Sequence, residues 1–110
     1  MRNDKKVRVA DYVMSRLALL GIRQVFYLPG GGAMHLNDAL GIHPGLDPIL
    51  CLHEQACGVA AEAAGKLLSG PSACLVTSGP GATNVLIATL VPGWIRHLFS
   101  LCLGRSRPPI

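Results

Sequence analysis

Charge is what this sequence has least of. Only 15% of its 110 residues are charged, while half are hydrophobic. All six acids lie at or before Glu62, and no charged residue occurs between Lys66 and Arg96. Such a chain must bury most of itself, in its own core or against a partner. Aromatics are scarce too, at 5%. The net charge of +4 comes with no basic helix face and no aromatic–basic alternation, so a nucleic-acid partner is not expected. The four cysteines (51, 57, 74 and 102) show no C-x-x-C spacing. That argues against zinc and for free thiols in a reducing, cytoplasmic setting. The charged N-terminus is followed by no apolar signal core. The uncharged stretch is broken at Gly79-Pro80-Gly81 and again at Pro92, which leaves no piece long enough to span a bilayer. The length bounds the chain at one domain, small for an open α/β sheet.

What is present is a regular alternation. Val9, Val13, Leu17 and Leu20 recur at helical spacing within 7–20, and Gly21 suits the helix end. Residues 24–28 read as a short strand ending at Pro29, followed by Gly30-Gly31-Gly32. A helix is expected over 33–40, stopped by Gly41. A buried strand is expected over 48–52, and an alanine-rich helix with a thin, close-packing face over 54–68. A third buried strand follows over 73–77, then a Ser78-Gly79-Pro80-Gly81 turn and a helix from about Ala82. One helix followed by three strand–helix units implies an α/β fold: a parallel sheet with helices on both faces. In such sheets ligands gather beyond the carboxyl ends of the strands. The glycine run, His53-Glu54 and Gly79-Pro80-Gly81 all fall at that edge.

Glu54 is the carboxylate placed for chemistry. Beside apolar strands it would be poorly solvated, and it could share a strong hydrogen bond with a ring nitrogen of a ligand. It equally suits the first turn of a helix, where an acid is favoured. His53 reads as a packed or hydrogen-bonded histidine, Gln55 as a solvated or interface group, and Asn84 as a helix cap or a ligand contact. The glycines do not form G-x-G-x-x-G and no P-loop lysine follows, so neither dinucleotide nor P-loop chemistry is indicated.

These residues together resemble a family. Gly21-Ile22-Arg23-Gln24-Val25-Phe26, Pro29-Gly30-Gly31-Gly32-Ala33-Met34-His35-Leu36-Asn37-Asp38-Ala39-Leu40, His53-Glu54-Gln55-Ala56, Ala61-Glu62-Ala63 and Ser78-Gly79-Pro80-Gly81-Ala82-Thr83-Asn84 stand in order at matching separations over about residues 7 to 84. The combination is similar to the pyrimidine-binding domain of thiamine-diphosphate enzymes, acetolactate synthases above all. The resemblance implies that Glu54 hydrogen-bonds the aminopyrimidine ring and favours its imino tautomer. The imino nitrogen then takes the thiazolium C2 proton, and the resulting ylid attacks a 2-keto acid. It places Pro29, Pro80 and Asn84 around the pyrimidine and Gly30, Gly31 and Gly32 on the substrate side. It also implies a site shared between subunits, as a homodimer or by pairing with a full-length homologue. In the family a second domain holds the diphosphate and Mg2+ through a Gly-Asp-Gly and Asn motif, and this sequence contains no such motif. The chain by itself is therefore expected to be inactive. The alternative is a non-catalytic α/β interaction module that pairs with a full-length homologue.

The resemblance stops after about Val85. Residues 1–91 read as the partial pyrimidine-binding domain and 92–110 as a tail foreign to the family. Trp94 requires TGG and Ile95 begins AT, so the frame one base earlier forces aspartate there. That frame permits Leu-Asp-Ser-Thr-Pro, the family's continuation. A frameshift between about Val85 and Val91 is the expectation, with the tail unselected for packing and the edge of the third strand left open.

Overall fold

The computed structural model describes residues 6–89 and 98–103, with side chains over 6–85. Helix α1 (Val9–Leu19) leads into strand β1 (Gln24–Tyr27), a 3-10 turn (Gly31–Ala33) and α2 (Met34–Ile42). Strand β2 (Asp47–Leu50), α3 (Glu54–Leu68), β3 (Ser72–Thr77), α4 (Pro80–Thr89) and β4 (Leu98–Leu103) follow. The strands form one parallel sheet in the order β2-β1-β3-β4.

Alternation along the strands divides the core in two. Val25 and Tyr27 lie beside Ala73 and Leu75, and with α1 and α2 they bury one face. Phe26 lies beside Cys74, and with Val76, Leu28, α3 and α4 it buries the other. The β1–β2 crossover steps one way along the sheet and the β2–β3 crossover steps back over β1. Right-handed connections therefore put α2 and α3 on opposite faces. The direction of winding changes between β1 and β3, which is where a doubly wound sheet opens a crevice at its carboxyl edge.

Four expectations need correction. The buried stripe of α1 is Ala10, Met14 and Leu17, while Val9 is 79% and Leu20 is 56% exposed. Two apolar stripes overlap in this helix, and packing against the sheet selects the one through Ala10, Met14 and Leu17, with Val13 partly packed at its margin. Strand β2 is an edge strand with largely exposed residues rather than a buried one. Pro48 gives the reason, because it has no N–H to donate and proline is confined to sheet edges. Helix α2 runs through Gly41 to Ile42. Strand β3 is paired on both sides, by β1 and by β4, so its edge is not open. Residues 98–103 of the tail thus form a strand, while the rest of the 92–110 tail lies outside the described residues.

The buried face of α3 is small, as expected: Cys57, Gly58, Ala61 and Gly65, with Glu62 buried among them. The Lys66 ammonium stands 3.3 Å from Glu62 Oε1. The Ser72 hydroxyl donates to the Ala61 carbonyl, tying β3 to the middle of α3. Ser72→Ala should lower stability by about 1 kcal/mol, the ordinary net worth of such a bond, as read from urea unfolding. Helix α3 ends at Ser69, the one non-glycine residue with positive φ among the described residues (φ 50). A Cβ in that left-handed conformation is unfavourable, so Ser69→Gly should raise stability by up to about 1 kcal/mol. At the other end of the fold, Arg8 bonds both Asp11 (2.8 Å) and Asp38 (3.0 Å), linking the start of α1 to α2. The guanidinium holds the Asp11 carboxyl below its usual range. This contribution is present at neutral pH and fades as acid titrates Asp11.

Candidate functional site

The site is built where three strands end. Beyond β1, Leu28 N–H donates to Leu75 O, and the chain turns through exposed Pro29 into the glycine run. Beyond β2, Cys51 N–H extends the ladder to Tyr27 O at 2.9 Å. His53 then caps α3, its Nδ1 accepting from Gln55 N–H at 3.1 Å. His53 is thus a hydrogen-bonded cap, and Glu54 occupies the first turn of the helix. Beyond β3, Gly79 (φ +75) makes the left-handed turn into α4, and Pro80 stands at its first position, where no N–H is needed.

The Glu54 side chain is half-buried and faces α4. Its Oε2 accepts from Asn84 Nδ2 at 3.5 Å. Asn84 is therefore no cap: it sits inside α4 and reaches across to α3. A Cβ on Gly81 would stand 3.3 Å from Glu54 Oε1 and 3.2 Å from Thr77 Cγ2. Glycine there keeps the space before the carboxylate open. At 3.5 Å the Asn84 contact is long, so the carboxylate retains acceptor capacity. Among the described residues no cation pairs with Glu54.

The glycine run meets the same place through Thr77. Gly32 N–H donates to Thr77 Oγ1 at 3.2 Å. A Cβ on Gly30 would collide with Thr77, and one on Gly32 would lie 2.8 Å from Thr77 Oγ1 and 2.9 Å from Ser78 Oγ. Gly31 faces open space. Thr77 is the residue that sequence reasoning missed. It touches the surroundings of Gly30, Gly32 and Gly81, and its place as the last residue of a strand at the carboxyl edge was the available signal. The structure thus brings Glu54, Asn84, Gly81, Thr77, Gly30 and Gly32 to one edge, with Pro29 and Pro80 exposed there and Gly31 on its open side.

Elsewhere, an apolar groove of about 580 Å³ lies at the opposite end of the sheet, between Arg23, Phe26, Ala64 and Leu68. It offers few polar groups to orient a ligand and is remote from Glu54. Among the described residues no cluster of His, Cys, Asp or Glu is placed to hold a metal ion. Nor, among them, is any helix long and apolar enough to cross a membrane.

A carboxylate with spare acceptor capacity, a cleared space in front of it and two glycine turns beside it define a small-ligand site of the α/β type. The family described as "Thiamine pyrophosphate enzyme, N-terminal TPP binding domain" matches residues 7–91, and the chain belongs to that family. It is 40% identical over 79 residues to the probable acetolactate synthase 2, chloroplastic, of Oryza sativa subsp. japonica, covering 72% of this chain and 12% of that protein. It is 39% identical over 77 residues to the acetolactate synthase isozyme 2 large subunit of Escherichia coli (strain K12), covering 70% of this chain and 14% of that one. It is also 39% identical over 84 residues to a pyruvate decarboxylase of Neurospora crassa, covering 76% of this chain and 15% of the relative. The chain therefore matches only a small part of the length of these relatives.

The residues present fit the aminopyrimidine of thiamine diphosphate. The carboxylate can accept a hydrogen bond from a ring nitrogen that carries a proton, and the glycines leave room for a flat ring.

Proposed function

We propose that this chain supplies the aminopyrimidine half-site of a thiamine-diphosphate-dependent 2-keto acid carboligase or decarboxylase of acetolactate-synthase type. The observation that carries this reading is the half-buried Glu54 carboxylate, held by Asn84 where three strand ends meet and paired with no cation among the described residues. Thiamine diphosphate, when bound, supplies the carbanion chemistry that no amino-acid side chain can. Glu54 binds the ring and holds a proton at its nitrogen. Asn84 fixes the carboxylate orientation, Pro29 and Pro80 stiffen the two turns beside the ring, and Gly30, Gly31 and Gly32 leave the substrate side open. The diphosphate and its Mg2+ fall to a second domain, and the setting is the cytoplasm. The test mixes the full chain with the diphosphate-binding domain of the E. coli isozyme 2 large subunit and titrates thiamine diphosphate with Mg2+ by calorimetry. The mixture should bind more tightly than either component; a mixture no better than the isolated domain removes the reading.

A second feature supports pairing with another copy or a full-length homologue. Ala56, Val59, Ala63 and Leu67 form one exposed apolar stripe along α3, continued by Leu52, which is 91% exposed. Such a stripe on a charge-poor chain suits a protein interface. Val59→Glu with Leu67→Glu should shift the chain toward monomer in light scattering across a concentration series. An unchanged mass would remove the stripe from the interface.

For residues 92–110 we propose a shifted reading frame. The gene tests it: the codons read one base earlier should give Leu-Asp-Ser-Thr-Pro across the Trp94 region, and any other reading rejects the shift.

A further inference from the structure

The side chain of Thr77 meets both turns beside Glu54, and the proposed cofactor role gives it nothing to do. Thr77 is the last residue of β3 and is half-buried. Its Oγ1 accepts from Gly32 N–H at 3.2 Å. Its Cβ and Cγ2 fill the space that a side chain on Gly30 would need. Its Cγ2 also lies 3.2 Å from the point a Cβ on Gly81 would take, and Glu54 Oε1 lies 3.3 Å from that same point. The hydroxyl thus ties down the turn after β1, while the methyl spaces the turn into α4. A β-branched side chain is stiff about its first torsion, so the two groups hold their places together.

From this geometry we infer that Thr77 is a positioning residue of the half-site. Its hydroxyl fixes the glycine turn at a set distance from Glu54, and so sets the width of the slot that receives the aminopyrimidine ring. Thr77 acts through Gly32 and need not touch the ring itself. The inference rests on the half-site reading and deepens it: Glu54 and Asn84 build one wall of the slot, and Thr77 holds the other in place.

The hydroxyl and the methyl should leave different signatures. Gly32 is exposed, so in the open site water competes for its N–H and the bond to Oγ1 adds little to stability. A ring lying over the turn excludes that water, and the same bond then strengthens. Without Oγ1 the bound ring would cover an N–H that has no acceptor, a penalty that arises only on binding. The hydroxyl should therefore show in affinity. The methyl, packed toward Gly30 and Gly81, should show in stability.

The test uses two variants of the full chain. Thr77→Val keeps the branched shape and loses the acceptor, whereas Thr77→Ser keeps the acceptor and loses the methyl. Each is compared with wild type by urea unfolding, by NMR exchange of the Gly32 amide in the chain alone, and by calorimetric titration of thiamine diphosphate with Mg2+ into the mixture with the diphosphate-binding domain. Thr77→Val should unfold as wild type does and exchange the Gly32 amide faster. It should bind thiamine diphosphate roughly 3- to 10-fold more weakly, the range that one hydrogen bond covers. Thr77→Ser should bind as wild type does, with the Gly32 amide equally protected, yet unfold at lower urea. The two variants are thus ordered one way by affinity and the other way by stability, which a merely structural threonine would not produce. Thr77→Val binding as tightly as wild type, Thr77→Ser losing as much affinity as Thr77→Val, or a Gly32 amide unchanged in Thr77→Val overturns the inference. Each of those results leaves the half-site reading standing, because the wild-type mixture still binds. A wild-type mixture that does not bind overturns both.

Discussion

Gly30→Ala is expected to destabilise the protein by about 1–3 kcal/mol, the usual cost of forcing extra volume into a packed contact. The reason is steric alone. Gly30 has φ −163 and ψ 155, an extended conformation any residue adopts. What excludes a side chain is Thr77, whose Cβ stands where the new methyl would go. The obstacle is the base of a side chain next to the backbone, so rotation cannot clear it. Thr77→Ala should therefore rescue little, since its Cβ remains. Thr77→Gly should recover more of the loss than Thr77→Ala does, although glycine in a strand carries its own cost of about 0.5–1 kcal/mol. Urea unfolding of the three single variants and the two doubles forms the required pair of cycles. Equal rescue by alanine and glycine would mean that the two turns do not touch as described. The same substitution at Gly31, which faces open space, should cost far less.

Glu54→Ala is expected to weaken thiamine diphosphate binding by roughly 10- to 100-fold in the mixture with a diphosphate-binding domain. A hydrogen bond to a charged group is worth about 1.5–3 kcal/mol, and about 1.4 kcal/mol is a factor of ten. Glu54→Gln should lose nearly as much, because the amide keeps the shape but not the charge. Asn84→Ala should lose less. Its 3.5 Å contact orients the carboxylate without dominating it. Stability should respond differently: Glu54 is half-buried without a cationic partner among the described residues, so its removal leaves no buried charge stranded. An affinity loss without a matching stability loss is the pattern that separates a ligand-binding acid from a favourable first-turn residue.

Much of this site was legible in the sequence because the punctuation is strong. Helix α3 begins at Glu54 and ends at Leu68, as its alanine-rich run between His53 and Ser69 indicates. Strand β3 is buried along nearly its whole length, as an uninterrupted apolar run implies. The meeting of the three turns follows from topology once the strands are known to be parallel. Other features were hidden for physical reasons. The apolar residues of α1 fit two stripes, and only the sheet against which it packs selects Ala10, Met14 and Leu17. The edge position of β2 was encoded in Pro48, but an apolar run outweighed it. Asn84 has the chemistry of a cap, and only the packing of α4 against α3 turns it toward Glu54. Thr77 carries no motif at all, and its role exists only because three glycines leave room around it.

The central claim is a bond between one carboxylate and one ring nitrogen, and an analogue tests it directly. Thiamine diphosphate and its counterpart with the pyrimidine N1 replaced by C–H differ at that atom alone. Calorimetric titration of both, with Mg2+, into the mixture of the full chain and a diphosphate-binding domain gives the preference of the site for the nitrogen. The wild-type mixture should prefer thiamine diphosphate by about tenfold or more, and Glu54→Ala should abolish that preference. An equal preference in wild type and Glu54→Ala would contradict the assignment of Glu54 as the residue that holds the pyrimidine.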